Sequence, residues 1–303
     1  MPTPLRFGID LGGTKTEIVS LASDGRQLLR RRIATPGGDY GAILDAVVSL
    51  VADAESELGE RGSVGIGTPG SISRATGLLR GSNSVCLNGQ PIKRDLEAML
   101  AREVRITNDA NCFALSEASD GAGKGAEVVL GVILGTGVGA GIVVRGRVLD
   151  GPNAIAGEWG HNPLPWPKDD ERPGHRCFCG QAGCIETWLS GPGFERDHCA
   201  ATRESLTARD IAMRAATGDV ACAASLFRYE DRFARAIAHV INLLDPDVIV
   251  LGGGMSNIDR LYAIVPHLWG RWVFSDRVYT RLVRNMHGDS SGVRGAAWLW
   301  GDA

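Results

Sequence analysis

The chain lacks several things, and each absence narrows its class. No uninterrupted apolar run approaches the ~20 residues that a membrane span needs. The opening residues, Met-Pro-Thr-Pro-Leu-Arg, hold no apolar core of a signal peptide, which predicts a cytoplasmic protein without a membrane partner. An excess of one charge is missing too. The 32 Lys and Arg against 35 Asp and Glu give a net charge of -3, no electrostatic footprint for nucleic acid. Pairable cysteines are few: seven is an odd number, and without an export signal it favours free thiols and a metal site over a disulfide framework. What remains is a globular composition, 44% hydrophobic and 22% charged, in 303 residues, enough for two domains or one large one.

The most informative stretch runs from Glu158 to Glu186. Cys177, Cys179 and Cys184 fall within eight residues, and His161 stands sixteen positions before Cys177. Three thiolates and one imidazole form a Cys₃His set, the type and number of ligands that close a tetrahedral zinc site. A closed site leaves no position for substrate, so the metal reads as structural. Folding this loop around zinc also draws Glu158 and Glu186 towards one place. Buried or redox cysteines beside a surface histidine are the plainer alternative, and His175 is a rival ligand.

Strand and helix periodicities alternate, which gives an α/β class. Leu5–Asp10 and Thr16–Leu21 read as a hairpin about Gly12-Gly13, and Val128–Leu134 and Ala140–Val144 as a second about Gly135–Gly139. The likeness of the two suggests an internal duplication. Tyr40–Leu58 has helical spacing, Val104–Thr107 reads as a strand, and Asn108-Asp109 opens a helix. Val248–Leu251 reads as a strand before Gly252–Gly254, and a last helix spans Gly292–Trp300 with Ser290 or Ser291 as its cap.

Three glycine clusters after strands offer main-chain N–H groups to an anion. Neither standard nucleotide motif fits. Gly135-Thr-Gly137-Val-Gly139-Ala140 is followed by strand where the dinucleotide fingerprint needs helix, and Thr14 stands where a P-loop requires Lys.

Asp10 to Thr16, D-L-G-G-T-K-T, resembles the first phosphate motif of the actin-like sugar kinases. Gly135–Gly141 resembles their second phosphate motif and Val248–Ser256 their adenosine motif. E-W-G-H with C-x-C-G-x-x-G-C-x-E marks the ROK branch (repressor, open reading frame, kinase). Asn162–Trp166 and His287–Trp300 look closest to the bacterial mannofructokinases, although Cys86 stands where that family usually carries Trp.

The resemblance implies an actin-like ATPase (ribonuclease H-like) fold, two α/β domains around a cleft. It places the small domain at 1–118, completed by 290–303, and the large one with the zinc loop at 119–289, with a hinge near Ala118–Glu127. It implies ATP-dependent phosphorylation of a free hexose at the 6-hydroxyl, with Mg²⁺ accompanying ATP, a structural Zn²⁺ and a homodimer. Fructose is the expected sugar and mannose a secondary one. N-acetylglucosamine is expected to be poor, since nothing clearly supplies room for its acetamido group. Asp109 is implied as the general base, although an Asp at a helix start is more often a cap. Asn108, Glu158, His161 and Glu186 are implied to join it as hydroxyl binders. Asp10, Gly12, Gly13, Thr14, Lys15, Thr136, Gly137, Gly253 and Gly254 are implied for the nucleotide, with Asp10 anchoring magnesium. Glucokinase or N-acetylglucosamine kinase activity is the alternative within the family. A sugar-responsive repressor is another, though no helix-turn-helix fits before Leu5. A zinc-bound sugar sensor would not need both aspartates and all three glycine turns.

Overall fold

Both expected hairpins form, and each belongs to a five-stranded sheet of the same connectivity. The computed structural model describes residues 5–301. In chain order the elements begin with β1 (Leu5–Leu11), β2 (Lys15–Leu21), β3 (Gln27–Ala34), α1 (Tyr40–Leu58), β4 (Gly62–Thr68), β5 (Ser71–Ile72) and β6 (Leu79–Arg80). Next come α2 (Ile92–Leu100), β7 (Val104–Asn108), α3 (Asp109–Ser119), β8 (Val128–Leu134), β9 (Val138–Val144) and β10 (Arg147–Val148). The remainder are α4 (Glu186–Leu189), α5 (Gly191–Thr202), α6 (Ala208–Ala216), α7 (Val220–Leu244), β11 (Val248–Gly252), α8 (Asp259–Trp269), β12 (Arg281–Arg284) and α9 (Ser291–Trp298).

The first sheet has the order β3-β2-β1-β4-β7 and the second β10-β9-β8-β11-β12. In the first, β1 pairs antiparallel with β2 and parallel with β4, and β4 runs parallel to β7. In the second, β11 runs parallel to both β8 and β12. The duplication suggested by two glycine hairpins thus extends to whole sheets.

Two compact units result: the described parts of Met1–Gly125, Gly141–Ala156 and Met286–Ala303, and then Ala126–Ala140 with Gly157–Asn285. The chain passes between them four times, where the sequence suggests one hinge and one return. Of the ends assigned to the small domain, residues 1–4 and 302–303 lie outside the described residues.

In the first unit, α1 begins where the Asp39 side chain accepts from the Ala42 N–H at 3.1 Å. It ends at Gly59, whose φ of 69° is the left-handed cap. Its face of Ile43, Leu44, Val47, Leu50, Val51 and Ala54 joins Phe7, Ile9, Val64 and Ile66 in one buried cluster. The C-terminal helix α9 closes the sheet's other side, where Val293 and Ala297 pack with Val19 and Leu21. Contact is so close that a Cβ at Gly8 would lie 2.1 Å from the Val293 carbonyl oxygen. Neither serine caps α9 through its side chain: Ser290 makes no such bond, and the Ser291 hydroxyl donates to Glu117 at 2.8 Å.

In the second unit, α7 carries a fully buried Arg235. Its guanidinium pairs with Glu171 at 2.7 Å and donates to the Trp166 carbonyl at 2.8 Å. Arg232 joins Glu171 at 2.9 Å. A buried charge is tolerated only when paired and hydrogen-bonded, so these contacts fasten the Pro- and Trp-rich loop Asn162–His175. Among the described residues, no helix is long and apolar enough to cross a membrane.

Candidate functional site

In the first unit, parallel pairing sets the C-terminal ends of β1, β4 and β7 side by side. Asp10 lies near the end of β1, and Asp109 opens α3 directly after β7. The cap of α3 is Asn108, whose side chain accepts from the Asn111 N–H at 2.7 Å. Asp109 is therefore released from capping, the competing role for an aspartate here. One of its oxygens accepts from the Ala110 N–H at 2.8 Å. Solvent reaches the Asp109 side chain, yet the density of protein around it disfavours the charged form and raises its pKa against the pull of that N–H. In the turn that follows Asp10, the Gly12 N–H donates to the Lys15 carbonyl at 3.0 Å. The Thr35 hydroxyl donates to the Gly12 carbonyl at 2.7 Å, and Gly13, Thr14 and Lys15 are exposed.

Burial raises the Asp10 pKa to about 6, and the nearby charges of Asp109 and Glu17 add to the effect. Crowded hard oxygen donors beside a glycine turn suit Mg²⁺, held through some of its waters. Without the cation the crowding costs stability. A carboxyl whose folded pKa exceeds its unfolded value binds extra protons in the native state, so it favours folding as pH falls through about 6 and weakens it above. Asp10→Asn should therefore raise the Tm of the ligand-free protein by a few degrees at pH 7.5 in metal-free buffer. The gain should shrink towards pH 4. Thermal unfolding across pH tests this; a variant no more stable at pH 7.5, or a gain that grows with acidity, would refute it.

In the second unit, Glu186 belongs to the β8–β9 turn as much as to its own helix. Its Oε2 accepts from the Val138 N–H at 2.9 Å, and a Cβ at Gly137 would lie 2.7 Å from the same oxygen. A side chain at this position would have to displace the Glu186 carboxylate. Glu158 is exposed and immediately precedes the single helical turn Trp159–His161.

Main-chain pairing brings the metal candidates together. The Leu164 N–H donates to the Gly183 carbonyl at 2.9 Å and the Ile185 N–H to the Asn162 carbonyl at 2.8 Å. His161, Cys177, Cys179 and Cys184 then present ligand atoms all within 4.8 Å of one another. Cys177 Sγ is 3.6 Å from His161 Nδ1, and Cys179 Sγ is 3.6 Å from Cys184 Sγ. Zinc–sulfur bonds of about 2.3 Å in a tetrahedron separate two sulfurs by roughly 3.8 Å, so donor type and spacing fit zinc. His175 stays outside this group, its ring centroid 4.8 Å from that of Trp188.

A cavity of about 1060 Å³ also lies within the second unit. Thr136 and Gly254, two of the residues expected at the nucleotide, line it. Their neighbours Gly137 and Gly253 do not. The cavity's other walls, on α5 and α6, include Pro192, Glu195, Ala208 and Met213, none of them marked by a sequence motif. Those helices carry no phosphate motif, and only their packing turns these residues inward.

Two like-ordered sheets, each holding a glycine hairpin, give the actin-like fold shared by the ROK sugar kinases. The chain belongs to the ROK family, whose sequence model matches residues 6–303. An N-acetyl-D-glucosamine kinase of Photobacterium profundum is 40% identical over 297 residues, 97% of this chain and 98% of that one. The ROK hexokinase from Thermus thermophilus has a TM-score of 0.86 at 31% identity, covering 97% of both chains. A ROK family glucokinase from Streptomyces griseus, solved with glucose and AMPPNP, has a TM-score of 0.76 at 28% identity, covering 97% of this chain and 98% of that one. The chain is an ATP-dependent sugar kinase that acts on hexoses.

Proposed function

We propose that this kinase phosphorylates the 6-hydroxyl of N-acetyl-D-glucosamine. The choice of sugar rests on relatives 40–41% identical over 97% of the chain, which carry that name. It replaces the expectation of fructose, which rested on two short motifs. Fructose remains the second reading because Asn162–Trp166 and His287–Trp300 resemble mannofructokinases.

The chemistry rests on one observation above all: Asp109 opens α3 while Asn108 does the capping. In the step proposed, the sugar O6 attacks the γ-phosphorus, the bond from that phosphorus to the ADP oxygen breaks, and the hydroxyl proton passes to Asp109. Magnesium held near Asp10 would offset charge on the phosphate oxygens. Asn108, whose side-chain oxygen is used as the cap, keeps its amide N–H groups for sugar hydroxyls. Glu158 and Glu186 accept from further hydroxyls. With Nδ1 turned to the thiolates, His161 has Nε2 left to donate to the sugar, so the proposed zinc would orient it. Gly12, Gly13, Thr14 and Lys15 would meet phosphate, as would Thr136 and Gly137.

The test is kcat/KM for N-acetylglucosamine, fructose, mannose and glucose under one set of conditions. N-acetylglucosamine should lead the others about tenfold or more, since one fitted or misfitted polar contact is worth about 1–3 kcal/mol. A tenfold lead for fructose would select the second reading. A tenfold lead for glucose would reject both.

A further inference from the structure

We propose that Glu195 reads the ribose of the nucleotide and makes the enzyme selective for ribonucleoside triphosphates. This rests on taking the cavity of the second unit as the nucleotide site. α5 leaves the phosphate turn directly: the Gly191 N–H donates to the Gly135 carbonyl at 2.8 Å. Glu195 lines the same cavity four residues further along the helix, roughly 6 Å at 1.5 Å per residue. A carboxylate repels phosphate but accepts well from a neutral diol. At that remove from the turn, the 2′- and 3′-hydroxyls of a ribose are the groups it suits.

The side chain is already fixed for this. Its Oε1 accepts from the Ala208 N–H at 2.9 Å, one of the helix-start donors of α6 that need a partner. Thr207, the cap, is occupied with the Asp210 N–H at 3.1 Å. Oε2 has no partner among the described residues. Two of the other three charged groups on the cavity wall are engaged, Arg260 with the buried Glu230 at 2.7 Å and Asp259 with Arg284 at 2.6 Å, and the third, Arg209 of α6, is a cation that cannot accept from a diol. Ala212 and Met213 of α6 supply an apolar wall for a base.

The experiment compares KM for ATP, 2′-deoxyATP and 3′-deoxyATP in the full chain at saturating hexose. Wild-type protein should show KM raised about tenfold for at least one deoxy nucleotide, as expected for one lost hydrogen bond to a charged group. Glu195→Leu should raise KM for ATP and bring the three nucleotides within about twofold of one another. Glu195→Gln keeps an acceptor for Ala208 and should retain part of the preference. Loss of the α6 contact alone would weaken all three nucleotides equally, so the ratio isolates the ribose. An unchanged ratio in Glu195→Leu overturns the assignment. Gly254→Val separates the two failures, because Gly254 lines the cavity and a Cβ there meets no protein atom within 4 Å. If Gly254→Val raises KM for ATP at least tenfold while the Glu195→Leu ratio stays unchanged, only the role of Glu195 falls. If Gly254→Val leaves KM for ATP unchanged, the cavity is not the nucleotide site and the proposal falls with it.

Discussion

Asp109→Asn should lower kcat by about a hundredfold or more, since general-base contributions run from about 10² to 10⁴, while the hexose still binds. The amide keeps the shape of the carboxyl and can still accept from the Ala110 N–H, so α3 should start as before. Its cap, Asn108, is untouched. What disappears is the proton acceptor. A loss confined to kcat marks an interaction made in the transition state, whereas a rise in KM alone would mark ground-state binding. The pH dependence should agree. Desolvation by the protein around it raises the Asp109 pKa, and a base must be ionised to act. Activity should therefore fall as pH drops through a value above the ordinary aspartate range. Near-normal kcat in the amide variant would remove Asp109 from the chemistry.

The second large effect concerns the cysteine loop. Protein purified without chelator should contain about one zinc per chain, and Cys179→Ser should lower Tm by about 10 °C. A lost metal ligand is worth several kcal/mol, and a chain of this size shifts by roughly 2 °C per kcal/mol. Hexose KM should rise in the same variant. The reason is mechanical: the ladder that joins Asn162–Leu164 to Gly183–Ile185 runs straight into Glu186. That carboxylate in turn holds the Val138 N–H of the glycine turn. Loosening the thiolates therefore loosens a sugar-binding candidate and a phosphate turn together. Elemental analysis and calorimetry decide the matter: metal-free protein with full activity would end the zinc assignment.

Both proposals use residues that are visible in the chain because their chemistry is local. Cys-x-Cys-Gly-x-x-Gly-Cys puts its ligands within eight residues, and a glycine turn between two apolar strands declares itself by spacing. Elements held by distant partners are harder to read. The strand β3 carries Arg30, Arg31 and Arg32 and resembles a solvated segment. It forms because it lies on an edge, where Arg30 and Arg32 pair with the buried Glu17 of β2 at 2.5 and 2.6 Å. The start of α5, Gly191-Pro-Gly, reads as a turn. It is helical because the Ser190 hydroxyl accepts from the Gly193 N–H at 3.1 Å and proline suits a first helical turn. The division into units was only partly legible. Residues 141–156 return to the first unit, and nothing in their composition announces it.

The first unit also meets a problem of timing while the chain is being made. Its first 125 residues leave the ribosome long before the helix that covers one face of their sheet has been translated. At about 5–20 residues per second, α9 follows roughly ten to thirty seconds later. The strand glycine at Gly8, cut to fit the Val293 carbonyl, has nothing against it for that interval, and Val19 and Leu21 stay bare. The second unit needs no sequence beyond Asn285. Completion of the first unit therefore waits for the last helix translated.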